Sequence, residues 1–287
     1  MEWLPVNFKN TGNTNSNYVI VGSFLPEIEI WNLDMLDVLE PELVLGESSQ
    51  EDKYFKDLKK KKNKIKSKSK TSENTHTDAV LSLNLNPFNN SILCSSSADS
   101  KILFWDLASA KSFNSITEHK DKVQTVKWNK IEDNVLLSGS YDKTIKLFDV
   151  RDKNSSTTIQ ISSDIESLEW SPMNKYLFLS AYENGRVDLY DIRKFDTVVS
   201  FQAHKKAASS VSFSNQKEGL FATCGLDSYV KVWDAENINT ETGNNSANLL
   251  CEKFVKKSTV RIFLLIFLIF FRENYLCRNL LKIWIIQ

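Results

Sequence analysis

The sequence predicts an all-β fold of repeated four-stranded units, and three observations carry the prediction. First, four segments align with one another: ILCSSSADSKILFWDL, VLLSGSYDKTIKLFDV, LFLSAYENGRVDLYDI and LFATCGLDSYVKVWDA. Each is an apolar strand, a short polar turn, then an alternating strand that ends in an aromatic followed by Asp. Second, those aromatics, Trp105, Phe148, Tyr190 and Trp233, are separated by 43, 42 and 43 residues. Third, a shorter alternating strand precedes each segment: AVLSLNL, VQTVKWN, IESLEW and SSVSFS. Short, evenly spaced, period-two strands recurring at this interval are the pattern of a β-propeller.

A fifth unit opens the chain. YVIVGSFLPEIEIWNL ends at Trp31, which lies 74 residues before Trp105, a gap of one repeat plus a lysine-rich insertion. In chain order the reading is a propeller over residues 3–250, with blades at about 3–46, 76–115, 119–161, 164–202 and 204–250. The insertion occupies 47–75, and an atypical hydrophobic tail occupies 251–287.

A chain of 287 residues can bury a substantial core, and its charge sets limits on function. The 36 Lys and Arg equal the 36 Asp and Glu, so no whole-chain field points to nucleic acid. Positive charge is instead concentrated, with ten lysines between Lys53 and Lys70. The four cysteines, Cys94, Cys224, Cys251 and Cys277, are far apart and show no metal-ligand spacing, so no metal is expected. MEWLPVNFKN has no basic region followed by an apolar core, so it is not a signal peptide, and a reducing intracellular compartment is expected.

Chemistry-bearing residues recur with the repeat. All three histidines, His76, His119 and His204, stand 29 residues before a repeat aromatic. A turn acid, Asp99, Asp142 or Asp227, stands six before it, and a hydroxyl, Ser95, Ser138 or Thr223, ten before it. Ser, His and Asp together invite a catalytic-triad reading, and Asp142-Lys143-Thr144 echoes a phosphorylated-aspartate motif. Such an active site occurs once in a protein, whereas this set occurs three times at fixed spacing, as architecture demands. No phosphate loop or nucleophile elbow stands out, so no catalytic residue, cofactor or small-molecule substrate is expected.

A repeat of this length ending in Trp-Asp resembles the WD40 family, whose blades are four-stranded sheets around a central channel. The resemblance implies a buried network in each regular blade: His76, Ser95, Asp99 and Trp105; His119, Ser138, Asp142 and Phe148; His204, Thr223, Asp227 and Trp233. Phe148 lacks the indole donor. The fourth unit has Asn184 at the turn and Asp164 near the histidine position, so no network is expected there, nor in the first unit with its Leu25-Pro26.

A narrower resemblance rests on NYVIVGSFLPEIEIWNLDMLDVLEPELVLG, the lysine tract and HTDAVLSL, and continues through SSADSKILFWDL, HKDKVQTVKW and LLSGSYDKTIKLFDVR. These resemble the periodic tryptophan protein 1 family, eukaryotic WD40 proteins of the nucleolus and ribosome production. The resemblance implies a non-catalytic scaffold in large-subunit pre-rRNA processing, located in the nucleus and nucleolus. Its implied partners are proteins of a pre-ribosomal assembly, with pre-rRNA or chromatin as further candidates. A chromatin-associated regulator of ribosomal RNA transcription and a ubiquitin-ligase substrate adaptor are the alternatives. It also makes the acidic exit at Asp34, Asp37, Glu40 and Glu42 a candidate partner contact. Proteins of that family are longer at both ends, so the five units are expected to form an incomplete ring.

The tract containing Lys59, Lys60, Lys61, Lys62, Lys64, Lys66, Lys68 and Lys70 repels itself and is too polar to fold. It reads as a localisation signal, an electrostatic RNA arm or a solvated loop. In the tail, Ile262–Phe271 is apolar, flanked by Arg261 and Arg272, and too short to span a bilayer. Its bias suits translated AT-rich noncoding sequence, with a membrane tail anchor or a docked apolar helix as alternatives. A membrane partner is not expected.

Overall fold

The computed structural model describes residues 1–4, 17–35, 39–46, 75–152, 156–235 and 247–254. These hold twenty strands in five four-stranded sheets. The first sheet is β1 (Glu2–Leu4), β2 (Tyr18–Gly22), β3 (Ile28–Asn32) and β4 (Leu43–Leu45). The second is β5 (Val80–Leu85), β6 (Ile92–Ser97), β7 (Ile102–Asp106) and β8 (Lys111–Ile116). The third is β9 (Val123–Trp128), β10 (Val135–Ser140), β11 (Thr144–Asp149) and β12 (Ser156–Gln160). The fourth is β13 (Ile165–Trp170), β14 (Leu177–Tyr182), β15 (Arg186–Asp191) and β16 (Asp196–Gln202). The fifth is β17 (Ala208–Phe213), β18 (Leu220–Gly225), β19 (Tyr229–Asp234) and β20 (Asn248–Phe254). Each sheet follows chain order, as the repeat predicts for propeller blades.

Strand composition follows from position in the sheet. The second and third strands are sandwiched and read as near-continuous apolar runs, such as Ile102–Trp105, all of which are buried. Outer strands alternate, as in KSFNSI of β8, because one side faces water. The outer strand β20 continues four residues past the expected boundary at 250 and pairs with β19 through Cys251 and Phe254.

The chain divides into two compact units, 1–126 and 127–287. In the first unit, Leu4, Tyr18, Ile20, Ile28, Ile30 and Leu45 of the first sheet pack with Val80, Leu83, Leu93, Leu103 and Trp105 of the second. Contact is close enough that a Cβ on Gly22 would fall 2.8 Å from Val80 Cγ1. In the second unit, Leu137, Ile145 and Ile159 meet Ile165, Leu168, Trp170, Phe178 and Tyr190. Leu179, Val187, Leu189 and Val199 of the fourth sheet then meet Val211, Phe213, Phe221 and Trp233 of the fifth. Among the described residues no helix is long and apolar enough to cross a membrane.

The turns between second and third strands share one construction. The acid or amide accepts the amide two residues ahead: Lys101 N to Asp99, Thr144 N to Asp142, Arg186 N to Asn184 and Tyr229 N to Asp227, all at 3.0–3.1 Å. The intervening residue is left-handed, with φ of 65° at Ser100, 63° at Lys143, 82° at Gly185 and 69° at Ser228. A side chain there is strained by about 1 kcal/mol. Ser100→Gly and Ser228→Gly are therefore each expected to stabilise the fold by a few tenths to about 1 kcal/mol, the gain reduced by glycine's entropy when unfolded. The urea midpoint checks this; a lower midpoint for both variants refutes it.

Candidate functional site

The turn acids are hubs. In the second sheet, His76 Nδ1 lies 3.2 Å from Asp99 Oδ2, and its Nε2 lies 2.7 Å from Ser95 Oγ. Trp105 Nε1 donates to the same Ser95 oxygen at 2.8 Å. Asp99 also accepts the Thr77 amide at 3.0 Å, which fixes the strap leading into β5. The fifth sheet repeats the geometry: His204 Nδ1 to Asp227 Oδ1 at 3.0 Å, Nε2 to Thr223 Oγ1 at 2.8 Å, and Trp233 Nε1 to Thr223 Oγ1 at 2.9 Å. The Lys205 amide donates to Asp227 at 3.1 Å.

These contacts assign the tautomer. The indole takes one lone pair of the hydroxyl oxygen, so the hydroxyl proton goes to Nε2, and Nδ1–H donates to the carboxylate. The chain of donors runs in one direction and leaves every ring atom satisfied. The atoms are those of a hydrolytic triad, yet Ser95 and Thr223 are each 0% exposed. A nucleophile must meet a substrate, and these hydroxyls meet only an imidazole and an indole. The arrangement holds structure. Burial also pushes the Cys94 and Cys224 thiols well above their ordinary range, so neither is a ready nucleophile.

In the third sheet His119, Ser138 and Phe148 are buried, and Asp142 accepts both the amide and, at 2.6 Å, the hydroxyl of Thr144. The fourth sheet differs from expectation. It has no histidine, but Ser180 Oγ donates to Tyr182 at 2.9 Å, and the Tyr182 and Tyr190 hydroxyls meet at 3.0 Å. A tyrosine from β14 supplies the polar partner that an incoming histidine supplies elsewhere. Burial raises both phenols above the ordinary tyrosine range.

Two of the four acids of the exit are engaged within their own blade. Asp34 accepts the backbone and side-chain amides of Asn17, both at 2.7 Å, and these hold its carboxyl below the usual value. Glu42 accepts from Asn32 Nδ2 at 3.2 Å and from Tyr18 at 3.5 Å. Glu40 is exposed, and Asp37 lies outside the described residues. The lysines of the tract, Lys59 to Lys70, and residues 255–287 of the tail also lie outside them. Among the described residues no group of three or more His, Cys, Asp or Glu could hold a metal.

The network makes stability sensitive to acid. Burial lowers the His204 pKa below 6.5, only partly opposed by Asp227. For Asp227 burial favours the neutral form, but the Lys205 and Tyr229 amides and the imidazole outweigh it and hold the pKa below 3.8. Between 6.5 and the lower folded value, the unfolded chain binds a proton at His204 that the folded chain does not. Stability from His204 is thus complete above about pH 6.5 and declines on acidification, and that from Asp227 declines further below about pH 4. Thermal midpoints measured from pH 7.5 to 5.5 should fall less steeply in His204→Gln than in the parent; equal slopes refute this.

Comparisons with known proteins agree with the geometry. The WD domain, G-beta repeat family matches residues 67–106 and 195–234, and the E3 ubiquitin-protein ligase RFWD3 WD40 domain matches 105–211. An uncharacterized WD repeat-containing protein of Schizosaccharomyces pombe is 41% identical over 239 residues, 83% of this chain and 44% of that protein. Periodic tryptophan protein 1 of Saccharomyces cerevisiae is 34% identical over 68% of this chain and 27% of its own length. The Drosophila melanogaster homolog of periodic tryptophan protein 1 is 28% identical over 82% of this chain and 48% of its own length. The chain spans less than half the length of each of these curated relatives. With repeat, sheet topology and family matches in agreement, the chain belongs to the WD40-repeat family.

Proposed function

We propose that the protein is a non-catalytic scaffold in ribosome biogenesis, acting in the nucleolus on pre-rRNA processing of the large subunit. The observation that carries this reading is the 34% identity to periodic tryptophan protein 1 across two thirds of the chain. The site geometry supports the non-catalytic part, because the Ser-His-Asp sets are sealed inside the blades. Partners in this reading are proteins of a pre-ribosomal assembly, with the lysine tract as nuclear address or electrostatic RNA contact and Asp34 and Glu40 as the exposed, described members of the acidic exit.

Crosslinking the tagged protein in cells tests it. Recovery of large-subunit pre-rRNA and assembly proteins is the expected result. Recovery of ribosomal DNA chromatin instead would favour a transcriptional regulator, and recovery of a ligase scaffold would favour a substrate adaptor; either replaces the proposal.

A further inference from the structure

The end of the blades opposite the turn acids carries a second pattern. There the described loops between first and second strands are built on one capping residue. Asn129 Oδ1 accepts the Ile131 and Glu132 amides at 2.8 and 3.0 Å, and Ser171 Oγ accepts the Met173 and Asn174 amides at 3.4 and 3.2 Å. The residue two past the cap points outward, and turn chemistry favours a polar residue there. Instead Ile131 is 40% and Met173 42% exposed. The same loop position in the first unit holds Phe88, also exposed, on an equivalent Asn86 cap.

The two loops of the second unit are tied together. Asn129 Nδ2 donates to the Lys175 carbonyl at 3.0 Å, and Lys175 Nζ pairs with Glu132 at 2.6 Å. Arg193 lies over the Tyr176 ring at 4.8 Å, beside Lys175. The two arginine ion pairs at this end are sorted by depth. The Asp191 side chain is 0% exposed while its partner Arg193 is 52% exposed, and Asp149 is 29% exposed against 69% for Arg151. In these two pairs charges balance in number, but the carboxylates face inward and the guanidinium groups face outward. Each guanidinium is held by its carboxylate through two nitrogens, so its outer N–H edge is pre-organised.

We propose that this end of the second unit, centred on Ile131, Met173, Arg151 and Arg193, is a docking surface for an acidic peptide segment that carries large apolar side chains. Carboxylates of the segment meet the outward guanidinium edges, and its apolar side chains cover Ile131 and Met173. A peptide can space its carboxylates to meet the two guanidinium edges singly, whereas the continuous charge of a phosphate backbone would run across the exposed carboxylates of Asp133 and Asp152. The proposal stands whichever assembly the scaffold serves, so its outcome is separable from that of the crosslinking experiment.

Fluorescence anisotropy with the full chain tests it, using four labelled probes: a glutamate–leucine peptide, a glutamate–serine peptide, a lysine–leucine peptide and single-stranded oligouridine. The glutamate–leucine peptide should bind at least about tenfold more tightly than the other three. Ile131→Ser with Met173→Ser changes only exposed loop tips, so it should remove that preference without shifting the melting temperature. Arg151→Glu with Arg193→Glu should transfer the preference to the lysine–leucine peptide. Equal binding of all probes, tighter binding of oligouridine, or affinities unchanged by the loop-tip variant overturns the proposal.

Discussion

Gly185→Ala is expected to lose on the order of 3 kcal/mol or more of folding stability, the largest effect among the substitutions considered. Gly185 has φ of 82°, where a side chain is strained. Its position is also crowded by backbone: a Cβ would stand 2.2 Å from the His204 carbonyl oxygen and 2.4 Å from that of Lys206. Neither atom can rotate away as a side chain could. The Gly185 carbonyl meanwhile accepts the Ala203 and His204 amides at 3.1 and 3.0 Å, so moving the turn breaks the strap that delivers His204. Gly46→Ala is the internal reference. It has nearly the same φ, 83°, but its Cβ would meet a side-chain atom, of Trp105, at 3.3 Å. The reference should lose only about 1–2 kcal/mol of left-handed strain. Denaturant midpoints compare the two; equal losses would mean that contact with the strap has no role.

Features set by one residue at one repeat position were legible in the sequence. Strands declare themselves as alternating or near-continuous apolar runs, so the five sheets follow from period and spacing. In the second and fifth sheets the turn acid, the hydroxyl and the histidine are likewise single residues at fixed repeat positions. Features set by a neighbour from another strand were not. Tyr182 occupies a position held by Ser97, Ser140 and Gly225 in other blades. Its meaning appears only when its hydroxyl is seen beside Ser180 and Tyr190. The donors of Asp34 and Glu42 were hidden because Asn17, Asn32 and Tyr18 are distant in sequence or on another strand, although Asp34 does lie at the surface. Cys251–Phe254 read as the start of the atypical tail, although pairing with β19 makes them the end of a strand. Burial asymmetry at Asp191–Arg193 is invisible in a string where the two charges simply alternate.

Asp227→Ala is expected to lose about 3 kcal/mol, because it strands several donors together. The carboxylate accepts the Lys205 amide, the Tyr229 amide and His204 Nδ1–H, and it anchors a turn whose Ser228 is left-handed. The Asp227 side chain is 9% exposed and that of His204 0%, so water replaces these bonds poorly. Loss then propagates: His204 loosens, Thr223 loses the acceptor of its proton, and the Trp233 indole keeps a partner that is no longer fixed. Asp227→Asn should be milder, since its carbonyl oxygen still accepts while its amide group confronts donors. A double-mutant cycle with Thr223→Val separates this from a purely local turn defect. If the imidazole couples the two sites, the double variant should lose less than the sum of the singles by about 1 kcal/mol. The indole N–H resonance of Trp233 should shift in Asp227→Ala, although the carboxylate makes no bond to it. Strict additivity, together with an unmoved resonance, would show that the carboxylate serves only its own turn.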